Sequence, residues 1–405
     1  MKILMASQGI PNYKTPMYGI HQLEYAKALK EFGIDVFIVA LDLRSLRRWR
    51  KWGYHRGEYE GISYYNISLP LGNFNELTQM KYGSKVLGKY LIDILKIEKD
   101  TDLIHSHFLN HSYPFVKVVK DKGLGLPIVL SEHSSHVNKK NPEDISREKI
   151  IIGNYVYNNC DKLIVGSPYF KEVLNRNFGV EAVVSPTVTD TFSFTLDKLD
   201  FNRDVFRVVS TGNLIKDKGH FELISAFSKI FKGKNATLKI FGQGVEYNNL
   251  LALIKKNKMD NQIFLMGHKN LEEINREYNK SDLFVLASHH ETYGKVYIEA
   301  MCSGLPVITV NNGGSEHFIE EFNGVIAQKN NVEDLANKLK LMYNKIRNSK
   351  DGSINEDTWK SFDKLKIREH MLLNFSKNAS IRDLEKIYSE VLKGENYVEK
   401  RKEKL

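Results

Sequence analysis

Cysteine is scarce in this 405-residue chain: there are only two, Cys160 and Cys302, far apart and in no metal-ligand spacing. That excludes a disulfide framework and a thiolate metal site, and a reducing cytosol is the simplest setting. No apolar run approaches the roughly 18 residues that span a bilayer. The opening Met1-Lys-Ile-Leu-Met-Ala-Ser-Gln8 lacks the long apolar region of a signal peptide and reads as a first buried strand. Short internal repeats and low-complexity tracts are missing too. What is in excess is positive charge. The 59 Lys and Arg against 49 Asp and Glu leave a net +10. This favours an anionic partner without choosing among nucleic acid, phospholipid and nucleotide, and a plain solubility charge would also explain it.

The length exceeds one ordinary core and calls for two domains of about 200 residues each. Short apolar runs alternate with helical patterns twice over. Strands are expected at 2–6, 36–40, 103–105, 127–130 and 162–165, with helices at 20–32 and 83–97. The theme returns with strands at 206–210, 238–241, 263–265, 283–286 and 306–310, and helices at 219–231, 247–256, 271–279 and 332–346. Such alternation means parallel sheets covered on both faces, so the fold class is α/β with two doubly wound domains. The break is expected at 185–204, where Pro186 and several threonines interrupt the periodicity. The resulting domains are 1–195 and 205–365, followed by a helix over 366–392 returning to the first domain and a charged tail at 393–405.

In open parallel sheets, ligands sit outside the carboxyl ends of the strands, and that rule sorts the motifs. The most specific is Glu291-Thr-Tyr-Gly-Lys-Val-Tyr-Ile-Glu299, which follows the strand at 283–286. Its glycine turn opens a helix whose N–H groups and dipole suit a phosphate. A fully helical eight-residue spacing would set the two acids about 12 Å apart, at ~1.5 Å per residue. That is too far for a retaining hydrolase pair at roughly 5–5.5 Å, so they read as two grips on one extended ligand. After the strand at 206–210 comes Gly212-Asn213-Leu-Ile-Lys-Asp-Lys218-Gly219-His220, which places a lysine at a helix mouth where a diphosphate could meet it. It is not a P-loop, because Gly-Lys-Ser/Thr is absent. Gly242, Gly267 and His268 also follow strands.

In the first half, Gly9 and Gly19 flank the loop after the first strand, and the order Gly-x-Gly-x-x-Gly is absent, so a nicotinamide fingerprint is not supported. His107 and His133 end strands, where an imidazole can bond a sugar hydroxyl or take a proton. His107 and Ser134 are the candidate acceptor contacts. Asp100-Thr-Asp102 has the Asp-x-Asp spacing of metal-dependent sugar transferases. It precedes its strand, at the wrong edge for a ligand, so no metal is expected. The stretch from Arg44 to Arg56 holds six cations with Trp49, Trp52 and Tyr54. Arg47, Arg48, Trp49, Arg50, Lys51 and Trp52 suit an anionic membrane surface, at about 1 kcal/mol per cation, and also single-stranded nucleic acid or a solvated face.

Together these residues resemble the family 4 glycosyltransferases over about Met1 to Ile387. The resemblance is carried by Glu291-x7-Glu299 with Gly294, Ala300-Met301, Gly304, Pro306-Val307, Gly313-Gly314-Ser315-Glu316 and Asn323-Gly324. The Gly212…Lys218-Gly219-His220 turn and the segments Ile104-His-Ser-His107-Phe108 and Ser131-Glu132-His133 add to it. It implies the GT-B fold, two Rossmann-like doubly wound domains facing each other across a cleft. It also implies a retaining, metal-independent hexosyl transfer from a nucleotide sugar, UDP- or GDP-linked, with no cofactor. By that resemblance Glu291 binds donor hydroxyls, Glu299 the ribose and Lys218 the leaving diphosphate. The backbone of Tyr293, Gly294, Lys295 and Val296 holds sugar and phosphate, and His133 lies near the reacting carbon. Gly19 and Gly212 let backbone approach the donor, and Gly267 and His268 lie near the base. The arginine usual five residues before the lysine is Asn213 here, so Lys216 or backbone amides would supply that charge. Gly19 is preceded by Tyr18 rather than by a second glycine.

The expected acceptor is a glycan or lipid-linked glycolipid precursor of cell-surface polysaccharide or glycolipid, and the place is cytoplasmic, peripheral at the inner membrane face, with no nucleic acid. A nucleotide-sugar epimerase of the same shape, or a noncatalytic anionic-membrane or nucleic-acid binder, are the alternatives. The last would leave the acid-lined phosphate loop unexplained.

Overall fold

The computed structural model describes residues 1–48, 50–197, 204–348 and 362–394. Trp49 and the charged tail from 395 lie outside these residues. The chain divides into two compact units, residues 1–188 with the segment from Ser380 onward, and residues 189–379.

The first unit is built on eight strands: β1 (Lys2–Ser7), β2 (Asp35–Asp42), β3 (Gly53–Tyr59), β4 (Ile62–Ser68), β5 (Leu103–His107), β6 (Ile128–Glu132), β7 (Lys162–Val165) and β8 (Val183–Val184). Their order is β3-β4-β2-β1-β5-β6-β7-β8, parallel throughout except for the β3–β4 hairpin. Helices α1 (Ile20–Glu31), α2 (Glu76–Ile97), α3 (Leu109–Lys122), α4 (Arg147–Tyr157) and α5 (Pro168–Phe178) cover it. Successive residues of a strand face opposite sides, and β1 feeds two cores in this way. Leu4 and Ala6 join the apolar cluster of α2 to α5, while Ile3 and Met5 join Leu23, Ala26 and Leu29 of α1. The second cluster also takes Ile381, Leu384, Ile387 and Tyr388 from the last helix.

The second unit carries β9 (Phe206–Thr211), β10 (Ala236–Phe241), β11 (Ile263–Leu265), β12 (Leu283–Val285), β13 (Val307–Val310) and β14 (Gly324–Ala327), all parallel, in the order β11-β10-β9-β12-β13-β14. Counted within the unit this is the dinucleotide-fold order 3-2-1-4-5-6, which reverses between β9 and β12. Helices α6 (His220–Phe231), α7 (Tyr247–Lys256), α8 (Leu271–Asn279), α9 (Lys295–Cys302), α10 (Val332–Asn348) and α11 (Lys364–Phe375) flank it, and α12 (Lys377–Lys393) leads back into the first unit. Leu223, Phe227 and Phe231 of α6 pack with Leu335, Leu339 and Met342 of α10 on one face. Tyr297, Ile298 and Met301 of α9 pack with Tyr278, Ile367 and Met371 on the other.

The expected strands are present, with β3, β4, β8 and β14 in addition. The stretch 366–392 is carried by two helices, α11 and α12, which meet at Ser376. The helix expected from 83 starts a full two turns earlier, at Glu76, where the Asn75 side chain accepts the Thr78 N–H at 2.9 Å. That cap satisfies an otherwise orphaned amide.

Candidate active site

In the second unit, Lys218 follows β9 and Glu291 follows β12, the two strands that flank the reversal of strand order. Neighbouring helices leave on opposite sides there, so a crevice opens at the strand ends. Lys218 Nζ lies 2.7 Å from Glu291 Oε1, and both side chains are mostly shielded from solvent. The scaffold sets this meeting. His289 N–H donates to the Asp217 carbonyl at 2.7 Å, and the Ser288 hydroxyl donates to the same oxygen at 3.3 Å. The His289 ring sits 3.0 Å from Glu222 of α6. The loop after β12 is thus stapled to the Lys216–Lys218 turn after β9.

Glu291 is held from the other side too. Its N–H donates to the Asn312 carbonyl at 3.3 Å. The backbone of Gly314 lies so near that a Cβ there would come within 2.6 Å of the Glu291 carbonyl. The Asn312 side chain accepts the Gly314 and Ser315 amides at 3.0 and 3.1 Å, and the Glu316 carboxylate accepts the Gly313 amide at 2.9 Å. The Gly313–Glu316 turn is therefore a brace for Glu291.

The helix α9 opens on Gly294, in the left-handed conformation at φ 88. The first N–H groups of a helix have no partners in the turn before them, and such an end suits an anion. Tyr293 is buried, and Lys295 and Val296 are half-buried. Glu291 lies outside the helix, four residues before its first turn, so the helical spacing expected between the two acids does not apply. Glu299 is half-buried one turn into α9. Its charge adds to burial in holding the Tyr278 phenol well above its ordinary range, and that phenol meets the Thr211 hydroxyl of β9 at 2.7 Å.

Asn213 and Lys216 are exposed. Gly212 N–H donates to the Phe241 carbonyl, and Gly242 N–H to the Gly267 carbonyl, both at 2.9 Å. The ends of β9, β10 and β11 are knit together there, with His268 exposed beyond them. His220, at the start of α6, is buried, which pushes its imidazole down to about 4 and keeps it neutral at pH 7.

In the first unit the corresponding reversal lies between β1 and β5. Gly19 caps α1 at φ 82, and a Cβ there would meet the Gly9 carbonyl oxygen at 2.1 Å. The loop thus brings the backbone of Gly9 against Gly19. His21 in the first turn of α1, His107 ending β5 and His133 after β6 come together, with ligand-capable nitrogens within 4.8 Å of one another. His107 Nδ1 and His133 Nε2 are 3.3 Å apart, so one donates and the other accepts, as the tautomers dictate. No metal was expected, and sequence spacing brought no such cluster together. Among the described residues these three histidines are the group able to hold one. His21 carried no motif signal beyond its place two residues after Gly19.

Behind His133 lies Glu132, fully buried, whose Oε1 accepts the His133 and Ser134 amides at 2.9 and 2.8 Å. Its Oε2 accepts the Tyr157 hydroxyl at 2.8 Å. Burial raises its pKa while these bonds oppose the rise. His133 and Ser134 line a cavity of about 380 Å³ with Phe108, His111 and Lys149. His107 differs from the expected acceptor contact: it is fully buried and stacked against His133, with 11° between ring planes. It backs His133 and leaves no face for an acceptor.

Asp102 accepts the Lys2 N–H at 2.9 Å, at the amino edge of the sheet. Arg50 departs from the membrane reading. Its guanidinium pairs with Asp42 at 2.7 Å and donates to the carbonyls of Asp42, Arg44, Ser45, Arg48 and Leu69, while its face lies 4.3 Å from the half-buried Trp52 ring. A guanidinium so engaged holds its own loop together. Burial pushes both thiols, Cys160 and Cys302, up to about 12, so neither is a nucleophile at neutral pH.

The chain matches the family described as Glycosyl transferases group 1 over residues 192–352 and that described as Glycosyltransferase Family 4 over residues 19–191. It belongs to glycosyltransferase family 4. A relative from Methanocaldococcus jannaschii, an uncharacterized glycosyltransferase, is 28% identical over 352 residues, 85% of this chain and 89% of the relative. The alpha-monoglucosyldiacylglycerol synthase of Acholeplasma laidlawii is 24% identical over 60% of this chain and 66% of its own. Among solved structures, a sucrose-phosphate synthase from Thermosynechococcus elongatus superposes with a TM-score of 0.73 at 17% identity, covering 96% of this glycosyltransferase and 98% of that chain. HepE of Anabaena, solved in complex with UDP and glucose, gives 0.68 at 17% identity, covering 96% and 100%. The fold of this glycosyltransferase is GT-B, with two Rossmann-like units.

Proposed function

We propose that this glycosyltransferase moves a hexose from a nucleotide sugar, UDP- or GDP-linked, to a glycan, lipid-linked or glycolipid acceptor with retention of anomeric configuration. The observation that carries the reading is the Lys218–Glu291 pair at the reversal point of the second unit, 2.7 Å apart beside the N-terminus of α9. Lys218 has further N–H donors for a diphosphate oxygen. Glu291 is the candidate for sugar hydroxyls, and Glu299 for the ribose. Tyr293, Gly294, Lys295 and Val296 would present backbone to sugar and phosphate, Gly212 lets the diphosphate approach, and Gly267 and His268 lie where the base would rest. UDP in a structural neighbour supports the nucleotide, and a relative that makes a glucosyl lipid supports the acceptor class.

The step breaks the bond between anomeric carbon and diphosphate oxygen and forms one from the same carbon to the acceptor oxygen on the same face. The acceptor proton passes to the departing phosphate oxygen, leaving nucleoside diphosphate and glycoside. The protein's part is electrostatic: Lys218 and the α9 amides meet charge as it grows on the leaving group. His133, held in register by Glu132, is the candidate contact near the reacting carbon, and Ser134 the candidate acceptor contact. No metal enters this scheme. The place we propose is the cytoplasmic face of a membrane. Exposed Arg47, Arg48 and Lys51 support it, and no described helix is long and apolar enough to cross a bilayer.

The test is turnover against a panel of UDP-, GDP- and ADP-sugars, with the anomer of the product read by NMR. One α-linked donor giving an α-linked product supports the reading. Inversion, or no hydrolysis or transfer from any of them, contradicts it.

A further inference from the structure

The first unit holds a second cavity, of about 770 Å³, within the range of small-molecule sites. It is bounded by the loop after β1, the segment after β2, and one face of the β3–β4 hairpin. Six cations line it, Lys14, Arg44, Arg47, Arg48, Arg50 and Lys51, against one carboxylate, Asp42.

That carboxylate is already spent. Arg44 reaches it with Nε at 3.1 Å and Nη2 at 2.7 Å, and Arg50 Nε lies 2.7 Å away. Arg44 is further fixed with its guanidinium 3.6 Å from the Tyr18 ring. Among the described residues, no carboxylate comes within ion-pair range of Lys14, Arg47, Arg48 or Lys51. The floor is neutral: Tyr59, Tyr64, Asn66, Ser68 and His55. Asn66 Nδ2 donates to Ser68 Oγ at 2.8 Å and lies 3.1 Å from His55 Nε2. Neutral hydrogen-bonding groups below and unspent guanidinium and ammonium groups around the rim fit a ligand with hydroxyls at one end and phosphate at the other. A flat membrane-facing patch would need neither the concavity nor the polar floor.

We propose that this cavity binds the acceptor, and that the acceptor carries a phosphate ester on a polyhydroxylated body. This rests on the transferase reading for the word acceptor, while the anion site itself is independent of it. Such a phosphate could belong to a soluble sugar phosphate or to the headgroup of a lipid.

The test is calorimetric titration of the full chain with mannose 6-phosphate and with mannose, and co-sedimentation with phosphatidylcholine vesicles with and without phosphatidylinositol. UDP and GDP are titrated in parallel. In the wild type the phosphorylated sugar, or the phosphatidylinositol vesicle, binds at least about tenfold more tightly than its neutral counterpart, and added salt erodes the difference. The variant Lys14→Ala/Arg47→Ala/Lys51→Ala loses that preference and keeps nucleoside diphosphate binding and fold. Preference for the soluble probe assigns a free sugar phosphate, and preference for the vesicle alone assigns a headgroup. Equal binding of charged and neutral probes, or a triple variant that keeps the preference, overturns the proposal. A wild type that prefers phosphate but binds neither UDP nor GDP keeps the anion site and sinks the transferase reading.

Discussion

A lysine 2.7 Å from a carboxylate has one N–H committed and others to spend. Lys218→Ala removes the cation from the leaving group, and Glu291 then faces the diphosphate as an uncompensated negative charge. Steady-state kinetics should show kcat down by about 10²–10³, the scale for losing one transition-state donor, with the circular dichroism unchanged; unaltered kinetics would move that role to Lys216 or the backbone. Glu132 makes a different prediction. In Glu132→Gln the amide oxygen can keep the two backbone amides, and the new NH2 then faces the Tyr157 hydroxyl that the carboxylate accepted, costing about 1–3 kcal/mol. The midpoint of thermal unfolding should fall and kcat with it, while the donor KM holds. A variant with lower stability but full kcat would separate Glu132 from the positioning of His133. Glu291 and Lys218 were legible in the sequence because both follow apolar runs with glycines nearby. The work of Glu132 was not, because a buried carboxylate among histidines looks the same on paper whether it touches ligand or backbone.

Strands buried on both faces were readable as strands, although those expected at 103–105 and 127–130 run two residues further, into the polar His107 and Glu132. Leu103–His107 and Ile128–Glu132 are wholly buried, and such strands write themselves as apolar runs. The β3–β4 hairpin was hidden for the opposite reason. β3 lies at the sheet edge with Arg56, Gly57 and Glu58 exposed, so its residues read as a charged loop. Its turn, Glu60–Gly61, has both residues at positive φ, a two-residue hairpin turn whose first position is not one of the usual residues. The three-histidine cluster was illegible because it joins the ends of three segments that only the sheet order brings together. At this scale Gly19→Ala is the informative change. It strains a left-handed cap and drives a Cβ toward the Gly9 carbonyl, so the loop after β1 must shift, at a cost of about 1–3 kcal/mol. A thermal midpoint within a degree or so of wild type would show that the loop yields freely.

Four imidazoles are held well below their ordinary range; His105 and His220 are buried, and His111 and His317 are half-buried. Burial pushes His105 down to about 3 and His111, His220 and His317 down to about 4. The unfolded chain takes up protons at these sites below about 6.5 while the folded chain does not, so stability is full above pH 6.5 and falls on acidification toward pH 4. Each contributes up to about 1.4 kcal/mol per pH unit in that window. Differential scanning fluorimetry from pH 8 to pH 4 should show a midpoint that is flat at first and then drops steeply. A midpoint constant through that window would mean that the histidines are protonated in the fold.

The division into two doubly wound units was legible from the repeated alternation of strand and helix. The strand order was not, since periodicity names strands without ranking them. The order in the second unit is what turns two separate motifs into one site. The most direct test of that site is calorimetric titration of UDP and of GDP into wild type and Lys218→Ala. The account predicts micromolar-range binding of one of the two by the wild type, on the order of −8 kcal/mol, and loss of at least about tenfold in the variant. Equal affinity of the two proteins for that nucleotide, or binding of neither by the wild type, would contradict it.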